Sequence, residues 1–450
     1  MAIMTAVFEV NIEWLEAPGV TTPELAATWA RYEIWIGDRC ITQVEASDGT
    51  FRRSVYGSLY PLAQWIASNW WLLASHVRPS AVEMRYWTWQ NVRAYPWLSD
   101  HNFRGAGDGM PWPDLTVVAE GAVTCMAWSQ DRHRSFAPVR FASEGRAIIR
   151  TEEARVGLAG IVNRVLERLA ESKLPKTQLA EEWEAIAKAD YEERDFCRTV
   201  ARLGLDPYSI SEQTADEVIR VAADLPVEVA DDFFDSADVA ALAGAAEWTR
   251  RAMSVAARAS AKAAETLRPL YNALSSRSEA FANTANDERP WTIGYAMARQ
   301  VRREVGVDST EQFDTSPWVR LGDVSAPSNG IHGVVTVTRE RCGLVLDSRR
   351  LGVIASRFGQ ARALGRALTR PEQQRFVLSA ARGQDEQVAG AFAAELLAPA
   401  DGIRASLDVL GKHDDDALEA IARHFKVSPL LVRHQYDNQI AMTSRGNAWY

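Results

Sequence analysis

Two arginines stand four residues apart in the segment SRFGQARALGRALTR, which runs from Ser356 to Arg370. The length of the segment and the periodicity of its apolar residues predict one helix, and residues four apart lie on one helix face. We therefore expect Arg362 and Arg366 to project side by side, with Arg357 about one turn before them. A guanidinium stays protonated and matches the geometry of carboxylates and phosphates. The pair predicts either a site for an anionic ligand or an internal salt bridge.

A second segment, EQVAGAFAAELLAP, has the pattern of another helix, ended by Pro399. It carries two acidic residues, Glu386 and Glu395, that could pair with the arginines. Of the two explanations we favour a salt bridge to one of these glutamates. An anionic ligand or an acidic peptide segment is the alternative, because paired guanidiniums bind such groups well.

The order of the segments resembles the ImmA/IrrE family of zinc metallopeptidases. In that family the first of these helices typically reads RFTLAHELGH, and the second reads ExEAxxFAAELLMP. The matching residues in this chain are Arg357, Phe358, Ala361, Leu364, Gly365, Leu368, Glu386, Ala389, Phe392 to Leu397, and Pro399. The helix GYAMARQVRREVGV and the tail HFKVSPLLVRHQ also fit, so the resemblance covers about residues 290–441.

The chemistry of such a site depends on the HExxH spacing, in which two histidines bind zinc and the glutamate acts as general base. The resemblance places the first histidine on Arg362, the glutamate on Ala363 and the second histidine on Arg366. A guanidinium has no lone pair for a metal, and alanine cannot take a proton. On the second helix, the resemblance places the family's second glutamate on Val388 and its usual asparagine or aspartate on Gly390. We therefore expect no catalytic residues, no zinc and no other cofactor.

The distribution of tryptophan indicates the domain organisation. Eleven of the 16 tryptophans precede residue 130, which marks a tryptophan-rich α+β domain at about 1–150. Helical patterns dominate 151–285, which we interpret as a helical connector. The segment 290–441 follows as a mostly helical, zincin-like domain with a small β-sheet. The fold class predicted from these patterns is α+β.

Several local patterns give sharper predictions. YEIWIGDRCITQVE predicts a hairpin that turns at Gly37-Asp38. EMRYWTWQ predicts a strand, and QLAEEWEAIAKADYEERDFCRTVARLGLDPY predicts one long helix that ends near Gly204. GIHGVVTVTRERCGLVLDSRR predicts two strands joined by a turn.

The composition limits the classes of protein to which this chain can belong. The net charge of −9 argues against a role that binds nucleic acid or a membrane through the whole surface. The four cysteines are far apart and form no metal-binding or disulfide framework, which is typical of a reducing compartment. The first residues lack the basic start and apolar run of an export signal, so we expect a cytoplasmic protein without a membrane partner.

The resemblance implies a regulatory protein that binds a protein partner without cleaving it. Such a partner would be a DNA-binding repressor, an antitoxin-like protein or another component of a phage or stress response. One alternative is an active metallopeptidase with a relocated site. A third reading is a DNA-binding regulator, because RHFKVSPLLVRHQ resembles a helix–turn–helix and is rich in basic residues.

Overall fold

The computed structural model describes residues 8–17, 19–46, 48–76, 86–121, 123–131, 139–275, 290–323, 328, 330–381 and 383–441. The chain divides into two compact units, Met1–Glu212 and Gln213–Tyr450. Both units contain helices and strands, so the predicted α+β class is confirmed. The segment predicted as a helical connector, 151–285, spans the division between the units.

The first unit packs helices around small antiparallel sheets. Its strands are β1 (Phe8–Trp14), β2 (Trp29–Ile36), β3 (Arg39–Cys40), β4 (Val44–Ala46), β5 (Phe51–Arg52), β6 (Val55–Ser58), β7 (Asp114–Glu120), β8 (Val123–Ser129), β9 (Val139–Phe141) and β10 (Gly145–Arg150). Its helices are α1 (Pro23–Ala27), α2 (Tyr60–Ser68), α3 (Trp70–Ser75), α4 (Leu98–His101), α5 (Thr151–Glu171), α6 (Gln178–Lys188) and α7 (Tyr191–Arg202).

In the residues that the structure describes, the first unit contains three small sheets. Strand β2 pairs with β1 on one side and with β3 and β6 on the other. The predicted hairpin is confirmed, since β2 and β3 pair across a turn in which Gly37 adopts a φ of 59°. The two other sheets have the orders β10-β8-β7 and β5-β4-β9. Most of the early tryptophans are buried between these sheets and the helices, among them Trp65, Trp71 and Trp128.

Two local predictions for this unit are wrong. The segment predicted as a strand at EMRYWTWQ forms a short 3-10 helix at Trp89–Asn91, and its residues before Tyr86 lie outside the described part. The N–H of Trp89 is bound by the Asp114 carboxylate at 3.0 Å, so it is not available to a strand. The predicted long helix is two helices, α6 and α7, because the Asp190 carboxylate caps the second by accepting from the N–H of Glu193.

A buried histidine pair lies in the first unit. His101 Nδ1 is 3.0 Å from the carbonyl oxygen of Val117, so this nitrogen carries the proton. Its Nε2 then accepts from Nδ1 of His76, 3.3 Å away. The His101 ring stacks on Trp97 with a centroid distance of 4.1 Å. Burial lowers the pKa of His76 to about 4, and burial followed by the proximity of His76 lowers the pKa of His101 well below its usual value.

We expect acid to destabilise the protein through this pair. An unfolded histidine has a pKa near 6.5 and both folded values are lower, so unfolding takes up protons as the pH falls below about 6.5. The stability that the neutral pair contributes is present above that pH, and we expect about 3 kcal/mol of it to be lost between pH 6.5 and 5. Urea unfolding at the two pH values measures the loss, with His101→Leu as the matched variant. An unchanged pH dependence in that variant would contradict the assignment.

The second unit contains the helices α8 (Glu212–Asp224), α9 (Val227–Phe234), α10 (Leu242–Ser260), α11 (Arg268–Ser275), α12 (Pro290–Val305), α13 (Val353–Thr369), α14 (Gln384–Leu397), α15 (Ala400–Leu410), α16 (Asp415–Phe425) and α17 (Pro429–Gln435). Its strands are β11 (Val319–Gly322), β12 (Gly333–Thr338), β13 (Arg341–Leu346) and β14 (Arg375–Leu378). A π-helical turn, Tyr436–Ala441, follows α17.

The four strands form one mixed sheet in the order β11-β13-β12-β14. Helix α10 packs so closely on one face that a side chain at Gly343 would meet the carbonyl oxygen of Ala256 at 1.9 Å. The neighbouring residues of β13 point to the opposite face, where Leu346 contacts α13 at Gly359. The sheet therefore lies between α10 and α13, and β14 forms one of its edges.

The helices and the strand pair predicted for this unit from sequence are present. Strands β12 and β13 join through a turn in which Arg339 and Glu340 both have positive φ, the geometry of a tight hairpin. Ser428 caps α17 by accepting from the N–H of Leu431, and Pro429 occupies its first turn, as predicted. Strands β11 and β14 and helix α15 are additional elements that sequence patterns did not indicate.

In the part of the chain that the structure describes, no helix is both long and apolar enough to cross a membrane.

Candidate functional site

The predicted site is formed where α13 packs against α14. Gly365 permits this close approach, because a side chain there would lie 2.6 Å from the ring of Phe392. Both helices are largely buried along this contact, so any charged side chain on the facing surfaces needs a partner. Arg362 and Arg366 lie on that surface, one turn apart, as the spacing predicted.

Arg362 forms an ion pair with Glu386 of α14. Its side chain is 11% exposed and that of Glu386 is 7% exposed, so both charges are largely removed from water. The guanidinium also donates to the carbonyl oxygen of Ser379 at 2.7 Å, and Glu386 accepts from the N–H of the same residue at 3.1 Å. These contacts join both helices to the end of β14, and the predicted salt bridge to Glu386 is present.

Arg366 is more deeply buried and takes different partners from those predicted. Its side chain is 3% exposed, and one nitrogen donates to both carboxylate oxygens of Asp232 at 2.8 Å. A second nitrogen forms an ion pair with Asp385. Arg366 therefore contacts two carboxylates, but neither is Glu386 or Glu395. Its guanidinium also lies over the ring of Phe376, 5.8 Å from the centroid.

Asp232 comes from α9, which the sequence placed in the connector. Helix α9 packs along β14, and the Asp232 carboxylate accepts from the backbone N–H of Val377 as well as from Arg366. Burial raises the pKa of Asp232, although Arg366 acts in the opposite direction. Nothing in the local sequence of α9 distinguishes Asp232 from Asp231, so this residue could not have been identified from pattern alone.

Arg357 does not join the arginine pair. Its guanidinium donates to the carbonyl oxygens of Phe425, Lys426 and Phe313 at 2.9 to 3.1 Å. Lys426 ends α16 in the left-handed conformation, where carbonyl groups have no helical partner. Arg357 therefore connects the end of α16 to the start of α13 through hydrogen bonds.

Glu395 also lies apart from the arginine pair. Its carboxylate is almost fully buried and accepts from Arg299, Gln435 and Gln439 at 2.8 Å each. The N–H of Ala400 adds a fourth contact at 3.3 Å. Glu395 therefore connects α14 to α12 and to the C-terminal helices.

The residues at the position of the HExxH motif do not fit a zinc ion. Arg362 and Arg366 have no lone pair to donate, and carboxylates occupy their charged ends. Ala363 is completely buried and has no group that could move a proton. Across the described ranges no three histidine, cysteine or acidic side chains come together as a metal site would require.

Two further residues lie beside Arg362 and were not singled out by sequence. His332 Nδ1 is 3.3 Å from a nitrogen of Arg362, and its Nε2 is 2.6 Å from a nitrogen of Arg350. His332 precedes β12, while Arg350 follows β13, so the hairpin brings them together. Their sequence spacing carries no recognisable signal.

Burial raises the thiol pKa of three of the cysteines, Cys40, Cys197 and Cys342. All four are buried and free of disulfides. Burial raises the pKa of Cys197 to about 11 and that of Cys342 to about 12, so their thiols stay protonated near neutral pH.

Comparison of the chain with protein-family models, with curated proteins and with solved structures gives no match. The resemblance to ImmA/IrrE metallopeptidases therefore depends on the residues of this chain alone.

Proposed function

We propose that residues 290–441 form a degenerate domain of the ImmA/IrrE type and that the protein regulates a partner protein by binding it without cleavage. One observation carries this proposal. The side chains at both zinc-ligand positions, Arg362 and Arg366, are held by carboxylates of neighbouring elements. Breaking such pairs leaves a buried charge, so they favour a fixed internal structure over a reactive centre.

An exposed apolar surface supports binding of a protein. Leu351, Val353 and Ile354 are exposed apolar residues just before and at the start of α13, and Val353 is 71% exposed. Two exposed arginines, Arg349 and Arg350, lie just before them. Apolar side chains beside arginine are typical of protein interfaces, and an acidic partner such as a repressor or antitoxin-like protein fits this surface. We assign the protein to the cytoplasm, where its buried free cysteines would stay reduced.

The test combines metal analysis with capture of a partner by the full chain. We expect no stoichiometric transition metal in the purified protein. We also expect the wild type to capture a defined partner from host lysate, and the double variant Val353→Glu/Ile354→Glu to lose it. Glutamates at this helix start are compatible with folding because they complement the helix dipole. Val409→Glu, at another exposed valine, is the matched control and should retain the partner.

Two results would contradict the proposal. One equivalent of bound metal, with peptide cleavage that a chelator abolishes, would establish the alternative of an active metallopeptidase. Equal capture by the wild type and the double variant would remove this surface from the binding function.

The structure gives less support to DNA binding by α16 and α17. Arg433 is paired with Asp415, and the His424 ring contacts the carbonyl oxygen of Thr310 at 2.8 Å. Consecutive aspartates, Asp414 to Asp416, also begin α16 and would repel a phosphate backbone.

A further inference from the structure

The ring of His332 lies between two guanidinium groups. Arg350 approaches Nε2 at 2.6 Å and Arg362 approaches Nδ1 at 3.3 Å. The position of the ring is fixed by the main chain, because the N–H of His332 donates to Leu378 and its carbonyl oxygen accepts from Asp347. Three nitrogen-bearing side chains from different elements therefore converge at one place.

These three side chains have more hydrogen-bond donors than acceptors. A guanidinium only donates, and a neutral imidazole accepts at one nitrogen while the other carries a proton. One of the two contacts of His332 therefore places a donor against a donor. A protonated ring would leave both contacts in that state. An acceptor bearing negative charge would satisfy all three side chains together.

The nearby carboxylates are already engaged elsewhere. Glu386 is bound by Arg362 and by the N–H of Ser379. Asp347 is bound by Arg349 at 2.9 Å and by Ser328. Within the described residues, Arg350 forms no ion pair with a carboxylate, although it lies close enough to Arg362 for the two charges to repel. Asp347 attracts Arg350 without forming an ion pair with it, so Arg350 keeps its donors available to a further anion.

The cluster is accessible from solvent. Arg350 is exposed and His332 is partly exposed, while the Arg362 side chain is only 11% exposed. A small ligand would thus approach from the side of Arg350, with Arg362 at the more buried end of the cluster.

We propose that Arg350, His332 and Arg362 form a binding site for a small molecule that carries a phosphate group. A carboxylate pairs best in the plane of one guanidinium. Glu386 already contacts one nitrogen of Arg362, and its other oxygen accepts from the N–H of Ser379. A tetrahedral phosphate has enough oxygen atoms to accept from three side chains that approach from different directions. The site does not depend on the proposed partner function, because the three side chains belong to the cluster whether or not a protein binds nearby.

Titration calorimetry of the full chain with inorganic phosphate tests the site. We expect saturable binding that weakens by about tenfold or more in Arg350→Gln, since charge-assisted hydrogen bonds are among the stronger ones. Arg349→Gln is the matched control: it removes the same charge at the adjacent residue, but Arg349 faces Asp347. Its affinity should stay within about twofold of the wild type. Circular dichroism and thermal unfolding establish that each variant is folded.

Proton uptake provides an independent measurement. Burial, together with the charges of Arg362 and Arg350, lowers the pKa of His332 to about 3; Asp347 acts in the opposite direction and Arg349 in the same one. A bound phosphate would offset the repulsion by the guanidiniums and raise the pKa of His332, so the wild type should take up more protons on binding than a variant without this ring. Calorimetry in buffers of different ionisation enthalpy measures the difference between the wild type and His332→Gln, in which the protons released by the phosphate itself cancel.

Three outcomes would overturn the proposal. The first is the absence of saturable phosphate binding. The second is an equal loss of affinity in Arg349→Gln and Arg350→Gln, which would indicate general surface charge. The third is saturable binding of acetate at concentrations where phosphate does not bind, which would exclude the phosphate assignment.

Discussion

Arg366→Met is expected to lower the free energy of unfolding by about 3–5 kcal/mol, the usual cost of removing one partner from a buried ion pair. Arg366 is 3% exposed, and its guanidinium is the common partner of Asp232 and Asp385. Methionine preserves much of the side-chain volume, so the loss comes mainly from the charges. Asp232 is left without a cation, and Asp385 keeps only its pair with the more exposed Arg370. Urea unfolding of the full chain at pH 7.5 measures the change.

The same helix supplies the control. Arg370 also pairs with Asp385, at 3.0 Å, but its side chain is 50% exposed. Arg370→Met should therefore cost less than about 1 kcal/mol, because exposed pairs contribute little. Equal losses at the two positions would show that burial does not determine the contribution of these pairs.

A double variant separates the ion pair from simple packing. If Asp232 is destabilising once its cation is gone, Asp232→Leu should recover part of the loss in the Arg366→Met background. If Arg366 contributes only volume, the two substitutions should add without recovery. The result also indicates whether α9 is held in place by charge or by its apolar residues, which include Val229 and Phe233.

Glu395→Ala is the second large effect that we expect, with a loss of about 2–4 kcal/mol. The carboxylate accepts from Arg299, Gln435 and Gln439, and its removal takes away the acceptor that these three donors share. Gln435 is itself buried and ends α17, so the variant should loosen the C-terminal helices in particular. Limited proteolysis should accordingly cut after residue 429 sooner than in the wild type.

Two further variants make this prediction specific. Glu395→Gln keeps an acceptor but loses the charge, so its stability should lie between those of the wild type and the alanine variant. Asp401→Ala removes a nearby carboxylate that forms an exposed pair with Arg404, and it should leave stability unchanged. Wild-type stability in Glu395→Ala would show that the C-terminal helices are held by apolar packing alone.

The sequence predicted much of the second unit because its signals are local. Apolar periodicity indicated α12, α13 and α14, and the Ser428-Pro429 pair located the start of α17. It also placed Arg362 and Arg366 on one helix face and named Glu386 and Glu395 as candidate partners, of which only Glu386 pairs with one of them. Residues four apart lie on the same face of a helix, so the sequence alone predicts which side chains share a face.

Where local signals conflicted, the predictions were less accurate. The long helix expected through Asp190 is broken there, since an aspartate that can cap a helix start competes with helical continuation. The strand expected at Trp89 is absent because the Asp114 side chain binds its N–H. Propensity alone does not reveal which backbone groups a distant side chain will bind.

Only the tertiary structure determined which groups surround the arginine pair. Asp232 reaches Arg366 across 134 residues of sequence, and His332 reaches Arg362 across 30. The sheet brings α9, the β12–β13 hairpin and α13 together. The periodicity of apolar residues in the sequence does not predict such long-range contacts. The sequence by itself determined that two arginines replace two histidines in the pattern it resembles. The fold determined that one buried arginine, Arg366, is held between two partly exposed carboxylates, while Arg362 lies at the edge of a cluster of donors.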